Sequence, residues 1–329
     1  METMDWATTS TSPGRRESPW ERRALTISSP TSSPLFTRGR PRRGITSILG
    51  GSDILRVSCG WIYRGRRPTV TVELRLIGIR TPLIRPGDHL PSLLLKALRR
   101  AGGVREGDIL VLSSKVVAVS QGRMVRLSEV RPSPRALRLS RKTGLDPSFV
   151  EVVLREADSV LGASRGALLT LVKGLPCANA GVDLSNAPPG HAILLPSHPE
   201  RFAKELRDYV RREEGVRVGV ILADSTVKPL RLGTVGQAVG ISGVPGALDC
   251  RGRTDLFGRR LRVTRRALAD QLATAAELLM GEAGERIPLV VVRGLRLEGK
   301  AVPSPAVEPE ECLYFSLLKG GLRKDRRRL

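Results

Sequence analysis

Apolar periodicity sets in only at residue 71, and the order in which strand and helix periods then follow constrains the fold of this 329-residue chain most. Thr71–Leu76 alternates apolar and polar residues, as a half-buried strand does. Gly78 to Asp88, broken by Pro82 and Pro86, reads as a loop. Leu90 to Ala101 sets Leu90, Leu93, Leu94, Ala97 and Leu98 on one helical face. Ile109–Leu112 is a short apolar run closed by Ser113-Ser114-Lys115, the pattern of a buried strand. Helical periods recur over Pro147–Leu161, Pro199–Glu213 and Arg265–Met280. Buried strands are predicted over Val216–Leu222, ending at Asp224, and over Ile287–Val292. No repeat recurs, and the βαβ alternation of a doubly wound sheet is missing, so the expected class is α+β.

Residues 1–70 are of another kind. Met1 to Arg43 is rich in Ser, Thr, Pro and Arg and holds no sustained period, too little apolar surface to offset the entropy of ordering. Transit peptides share this Arg- and Ser-rich, acid-poor character. The methionines stand at 1, 4, 124 and 280, so a start read at Val70 or Val72 would begin the protein just before the first strand. The expectation is a working protein that starts near residue 70; an intact native mass near 35.7 kDa would overturn it.

Charge matters here because a formal +23 points first to nucleic acid. The ends carry much of it: residues 1–70 hold 12 arginines against 5 acids, and residues 319–329 hold six basic residues against Asp325. About half of the excess therefore lies in two tails, where it bears on solubility and non-specific contact. At 3% aromatic residues the chain lacks stacking platforms for RNA. No run of 18 apolar residues marks a membrane span, and no apolar segment near the start marks a secretory signal. Cys59, Cys177, Cys250 and Cys312 form no CxxC pair, which argues against a zinc site or disulfide framework and for a reducing cytoplasm.

Common nucleotide and hydrolase signatures (GxxxxGK[ST], strand-anchored GxGxxG, GxSxG) are missing, and His89, His191 and His198 read as solvated loop residues. Three segments carry other chemistry. Cys177 to Asn186 gathers small residues with Asp183, Ser185 and Asn186, either an Asx-turn loop or a place where backbone approaches a ligand. Asp224-Ser225 follows a buried strand; the pair suits a hard cation, and Lys228 and Arg231 suit anionic oxygens, unless the segment is a solvated turn. Met280 to Glu285 is an acidic loop in which Gly281 caps a helix or Glu282 joins Asp183 and Asp224 around Mg²⁺ or Mn²⁺.

In order, these segments resemble one family, the coenzyme F420-0:L-glutamate ligases (CofE, gamma-glutamyl ligase). The resemblance rests on Gly78 to Ile84, Gly107 to Val111, Cys177 to Asn186, Val218 to Ser225, Gly233 to Ile241, Arg251 to Arg259, Ala269-Asp270, Leu278 to Gly281 and Val290 to Gly294. It covers about residues 72–295, which sets the organisation: an N-terminal extension over 1–70, disordered or untranslated, a ligase region over 71–295, and a C-terminal extension with a basic tail over 296–329. What it implies is an acid–amino-acid ligase in coenzyme F420 biosynthesis. GTP phosphorylates the F420-0 carboxylate, and the amine of L-glutamate attacks the acyl phosphate. A second, gamma-linked glutamate can follow. It also implies two divalent ions, Mg²⁺ or Mn²⁺, a monovalent K⁺, and an α+β, CofE-like fold of two entangled regions in a homodimer. By position, Asp183 and Asp224 resemble the ligands of one metal, and Ser225 and Glu282 those of the other. Leu83, Ile84, Ser114, Lys115, Asn186, Gly281, Ala283 and Gly284 fall at the nucleotide. Lys228, Arg231 and Arg259 are candidate anion contacts, and no general base is assigned.

The chain departs from the family pattern at Val119, where a Lys is common, at Lys228, where an Arg fork becomes a point charge, and at Gln271, usually Glu. Two other readings stay open. One is a divergent ligase for another anionic carboxylate; the other is a basic nucleic-acid-binding protein on a degenerate ligase scaffold.

Overall fold

A computed structural model describes residues 54–59, 72–296, 299–308 and 311–316. In chain order the elements are β1 (Ile54–Cys59), β2 (Val72–Ile79), α1 (Leu90–Arg100), β3 (Ile109–Ser113), α2 (Ser114–Ser120), β4 (Met124–Arg126), α3 (Pro134–Thr143) and α4 (Pro147–Glu156). There follow β5 (Ser159–Ser164), β6 (Ala167–Val172), β7 (Leu175–Ala178), β8 (His191–Ile193), α5 (Pro199–Glu214), β9 (Gly219–Val227) and β10 (Thr234–Ser242). The last are β11 (Ala247–Asp249), β12 (Arg265–Arg266), α6 (Leu268–Met280), β13 (Leu289–Arg293) and β14 (Lys300–Val302).

A six-stranded sheet in the order β1-β2-β13-β3-β9-β10 forms the centre. Its neighbours are antiparallel except β3 and β9, which run parallel with Ser113 opposite Ala223. Both faces of the sheet are covered, and the period-2 alternation of its inner strands sorts their side chains between two cores. Leu110, Leu112, Val220, Leu222, Leu289 and Val291 meet α1 and α5 through Leu94, Leu98, Phe202 and Leu206. Ile109, Val111, Ile221, Val290 and Val292 meet α6 through Leu268, Leu272 and Ala276. Across the sheet, buried Asp108 receives two hydrogen bonds from Arg293, at 2.9 and 2.6 Å.

A third core builds a separate region between α2 and α5. Phe149, Val150 and Val153 of α4 pack on Leu168, Val182 and Ala192, beside the β5-β6-β7 sheet and the β4-β8 pair. Mixed sheets with segregated helices give the α+β class that the element order predicts.

Several boundaries differ from expectation. Residues 54–59 form a strand paired with β2, inside the segment expected to be disordered or untranslated; the rest of residues 1–71 lies outside the described residues. Gly78 and Ile79 belong to β2, because Val290 and Leu289 of β13 pair with them. The helix expected through Leu161 ends at Glu156, where Ala157 turns extended (ψ 131°), and Ser159 begins β5. Arg265–Arg266 is strand, and α6 starts at Leu268. His89 and His198 are exposed residues just before α1 and α5, as expected, the His89 ring accepting from Ser92 N, whereas His191 opens β8. Of the C-terminal extension, β14 pairs with β11, while the basic tail beyond residue 316 lies outside the described residues. Among the described residues no helix is long and apolar enough to cross a membrane.

Candidate functional site

The parallel pairing of β3 and β9 builds the site. Ligands of mixed and parallel sheets collect beyond the carboxyl ends of such strands. β3 stops at Ser113, and Ser114 opens α2, so beyond Ala223 strand β9 keeps only β10 as a partner. Asp224 and Ser225 therefore lie inside a strand, paired with Gln237 and Gly236, not in a loop after it as expected. They are available because their other edge is open. Ser114, buried at the start of α2, donates to Asp224 Oδ1 at 2.7 Å.

Asp224 and Ser225 face a cavity of about 1260 Å³, while Ser114 stands behind them and does not line it. Among the residues singled out in the sequence, Leu83, Ile84, Lys115, Asp183, Asn186, Asp224, Ser225 and the 281–284 loop line it. Val119, the first departure from the family pattern, lines it too. Lys228, Arg231 and Arg259 do not; they are exposed on loops. The wall is acidic, with eight Asp and Glu side chains against four Lys and Arg.

Two clusters organise the charges. In the first, Lys115 Nζ donates to Asp183 Oδ2 at 2.7 Å, to Ser185 Oγ at 2.6 Å and to the Ser185 carbonyl at 3.2 Å. Ser185 also donates to Asp183 from its backbone (2.8 Å) and its hydroxyl (2.7 Å), an Asx turn that fixes the loop. Burial works to raise the Asp183 carboxyl, but these hydrogen bonds and the Lys115 charge outweigh it and hold it below the usual carboxylate range. Asp224, deeper, goes the other way: burial pushes it up, and Ser114 and Lys115 offset only part.

The second cluster lies on β9, β10 and the end of α6. Ser225 Oγ stands 3.0 Å from Glu282 Oε1 and 3.2 Å from Glu277 Oε1, and Thr234 Oγ1 donates to Glu282 Oε1 at 2.6 Å. Burial pushes the Glu277 carboxyl up to about 7, with Glu282 and Asp224 adding to the shift. Gly236 makes this approach possible. It pairs with Ser225, and a Cβ there would stand 2.5 Å from the Thr274 nitrogen of α6. Thr274 Oγ1 instead donates to the Gly236 carbonyl at 3.0 Å, and Glu277 follows one turn from Ala273.

The 281–285 loop then joins the clusters. Gly281 ends α6, its N–H bonded to the Glu277 carbonyl, and Asn186 Nδ2 donates to the Ala283 carbonyl at 2.9 Å. Asn186 thus ties the Asp183 loop to the Glu282 loop. Glu277 and Thr234 were missed in the sequence. Glu277 sits in the predicted helix as one polar residue among many, and its proximity to Ser225 comes from a helix-to-sheet contact at Gly236 that no periodicity reports. Pro303 to Ala306, beyond the family resemblance, also line the cavity. Cys177 lines it too, its thiol pushed up to about 11 by burial and by the nearby carboxylates of Asp224 and Asp158.

The sequence matches the model of the F420-0:Gamma-glutamyl ligase family over residues 78–294. It is 47% identical over 245 residues to the Coenzyme F420:L-glutamate ligase of Methanopyrus kandleri, covering 73% of this chain and 93% of that protein. It is 41% identical over 230 residues to the protein of the same name in Archaeoglobus fulgidus (70% and 91%). For that of Methanothermobacter thermautotrophicus the identity is 37% over 250 residues (74% and 98%). An acidic cavity assembled from the segments that carried the resemblance, and a match spanning most of each relative, have one conclusion: the chain belongs to the F420-0:gamma-glutamyl ligase family.

Proposed function

We propose that this protein is a GTP-dependent coenzyme F420-0:L-glutamate ligase. The observation that carries the reading is the meeting of Asp183, Asp224, Ser225, Glu282, Asn186 and Lys115, from four distant segments, at one cavity. Relatives named Coenzyme F420:L-glutamate ligase are 34–47% identical to it over the aligned residues.

A carboxylate oxygen leaves poorly and a phosphate leaves well, so the reaction runs in two steps. The F420-0 carboxylate takes the γ-phosphoryl group of GTP, giving an acyl phosphate and GDP. The glutamate amine then forms the amide bond as phosphate departs and the amine proton passes to solvent. Such transfer is catalysed chiefly by positioning and charge stabilisation. Lys115 and Ser114 at the start of α2, Asn186, and the apolar Leu83 and Ile84 flank the nucleotide in this reading. A second, gamma-linked glutamate, K⁺ support and a homodimer belong to the same proposal. Fully exposed Leu230, Leu256 and Phe257 support a further chain against these loops.

The residues fit divalent ions. Among the described residues no three His, Cys, Asp or Glu enclose an ion by themselves. Mg²⁺ and Mn²⁺ at phosphoryl-transfer sites need fewer, taking one or two carboxylates, with hydroxyl, water and substrate phosphate oxygens. Asp183 with Asp224, and Ser225 with Glu282, offer such oxygen-only sets, and anionic substrates in an acid-lined cavity require cations. Bound there, the ions neutralise charge on the transferring phosphoryl group.

The test is incubation with GTP, Mn²⁺, L-glutamate and F420-0, read by product mass. Addition of one or two glutamates is expected, and ATP in place of GTP checks the nucleotide. No addition under these conditions sinks the proposal; transfer to another acceptor redirects it.

A further inference from the structure

Glu277 stands in contact with the proposed metal residues, yet nothing above gives it a role. The cluster around it is short of positive charge. Ser225 has one hydroxyl proton and two carboxylate oxygens within reach, Glu282 at 3.0 Å and Glu277 at 3.2 Å. Thr234 spends its proton on Glu282 at 2.6 Å. Among the described residues neither Glu277 nor Glu282 has a Lys, Arg or His in ion-pair contact, whereas Asp183 has Lys115. Two carboxylates that share one hydroxyl and lack a counter-charge repel each other.

The fold spends packing to create this arrangement. α6 lies on β10 at Gly236 so closely that no side chain fits between them, and the same helix face carries Glu277 to Ser225 one turn later. A surface glutamate would need no such contact. Asp224 and Ser225 come from β9, Thr234 from β10, Glu277 from α6 and Glu282 from the loop after it, so two strands, a helix and a loop bring side-chain oxygens to one wall.

We infer that Glu277 is a further ligand residue of the divalent ion assigned to Ser225 and Glu282, with Thr234 orienting Glu282. This rests on the ion-dependent ligase reading. Two carboxylates and a hydroxyl suit a hard cation that keeps its remaining positions for water and phosphate. The ion supplies the charge that the pair of glutamates lacks. Thr234 binds the Glu282 oxygen from outside the set, the usual way an outer hydrogen bond aims a ligating carboxylate.

The experiment is a Mn²⁺ titration of the full chain without nucleotide, following free Mn²⁺ by EPR, for wild type, Glu277→Gln, Glu277→Asp, Glu282→Gln and Thr234→Val. Glu277→Gln keeps shape and can accept the Ser225 proton, so its metal-free form is expected to melt at or above the wild-type temperature. Its Mn²⁺ affinity is expected to fall at least tenfold at one site, matching Glu282→Gln, with any other site unchanged. Thr234→Val should give a smaller loss. Wild-type Mn²⁺ affinity in folded Glu277→Gln, beside a loss in Glu282→Gln, overturns the inference while leaving the parent reading intact. Should Glu277→Gln not fold, wild-type affinity in Glu277→Asp overturns it equally, and weakened binding supports it. Absence of Mn²⁺ binding by wild type overturns the ion assignment as a whole, this ligand included.

Discussion

The carboxylate wall of the cavity and the basic loops at residues 228–233 and 250–264 differ in what holds them. Asp224 and Ser225 are fixed by strand register, Glu277 by a helix seated on a glycine, and Glu282 by two hydroxyls and a loop tied through Asn186. Lys228, Arg231 and Arg259 ride on loops whose contacts are local. The Asp255 carboxylate accepts from Phe257 and Arg259 N–H groups, and Leu256 and Phe257 are 98% and 95% exposed. A charge placed by packing holds one position and repays it in pre-organised electrostatics; a charge on a local turn is positioned only when something docks. The acidic groups are therefore held by the chain's own packing, whereas Lys228, Arg231 and Arg259 are held only by local turns.

The strongest test removes a packed carboxylate. Asp224→Ala and Asp183→Ala are each expected to lower GTP-dependent ligation by at least ~1,000-fold, about 4 kcal/mol at 1.36 kcal/mol per tenfold. The fold should survive, because burial already disfavours the Asp224 charge. Product mass and far-UV circular dichroism report the two halves, and near-wild-type turnover in either variant would break the metal assignment.

A second test sets a packed arginine against a loop one. Arg293 donates twice to Asp108, which is only 2% exposed, so Arg293→Leu strands a buried carboxylate. The expected cost is ~3–5 kcal/mol in chemical denaturation, as for other broken buried pairs. An unchanged denaturation midpoint would mean that water reaches Asp108.

How much of this the sequence disclosed follows the same division. α1 and α5 were legible nearly to the residue, because Leu90, Leu94 and Leu98, and Phe202, Leu206 and Val210, recur at helical spacing behind a proline in the first turn. The apolar cores of β3, β9 and β13 were legible as runs buried on both faces. α2 and α3 were not: α2 is seven residues of mixed character after a strand, and α3 buries only Ala136 and Thr143. Asp183, Asp224, Ser225 and Glu282 were legible as a set only through the family resemblance, since spacing along the chain says nothing of meeting in space. Glu277 stayed hidden because its partner, Ser225, is 52 residues away and the contact runs through a missing side chain at Gly236.

That missing side chain gives the third test. Gly236→Ala drives a methyl group into the α6 backbone at Ala273 and Thr274, so the helix must lift from β10. Overpacking of this kind costs about 1–3 kcal/mol. A lifted helix also separates Glu277 from Ser225, so Mn²⁺ affinity should fall with stability. Loss of stability alone would show that the site does not depend on this seating.

Acid titration probes the wall through the proton that Glu277 holds. In metal-free protein Glu277 holds its proton up to about pH 7 when folded, against 4.5 for an ordinary glutamate. The folded state binds that proton more tightly, so this group's stabilisation is full below about pH 4.5 and is lost as pH rises towards 7. Melting temperatures from pH 4.5 to 7 in EDTA should therefore fall more steeply for wild type than for Glu277→Gln. Equal slopes would mean that the carboxyl is solvated in solution.

The smallest effects belong to the basic loops. Lys228→Ala, Arg231→Ala and Arg259→Ala should each shift stability by no more than ~0.5 kcal/mol, because none of these side chains is buried. If the loops serve anionic substrate, KM for the acceptor rises while kcat stays, the signature of lost uniform binding. The effect should also shrink with added salt, since exposed charges are screened within about 10 Å at 0.1 M. A fall in kcat as large as that of Asp224→Ala would break the comparison at its root. It would mean that assembly places an arginine of these loops as firmly as β9 places its aspartate.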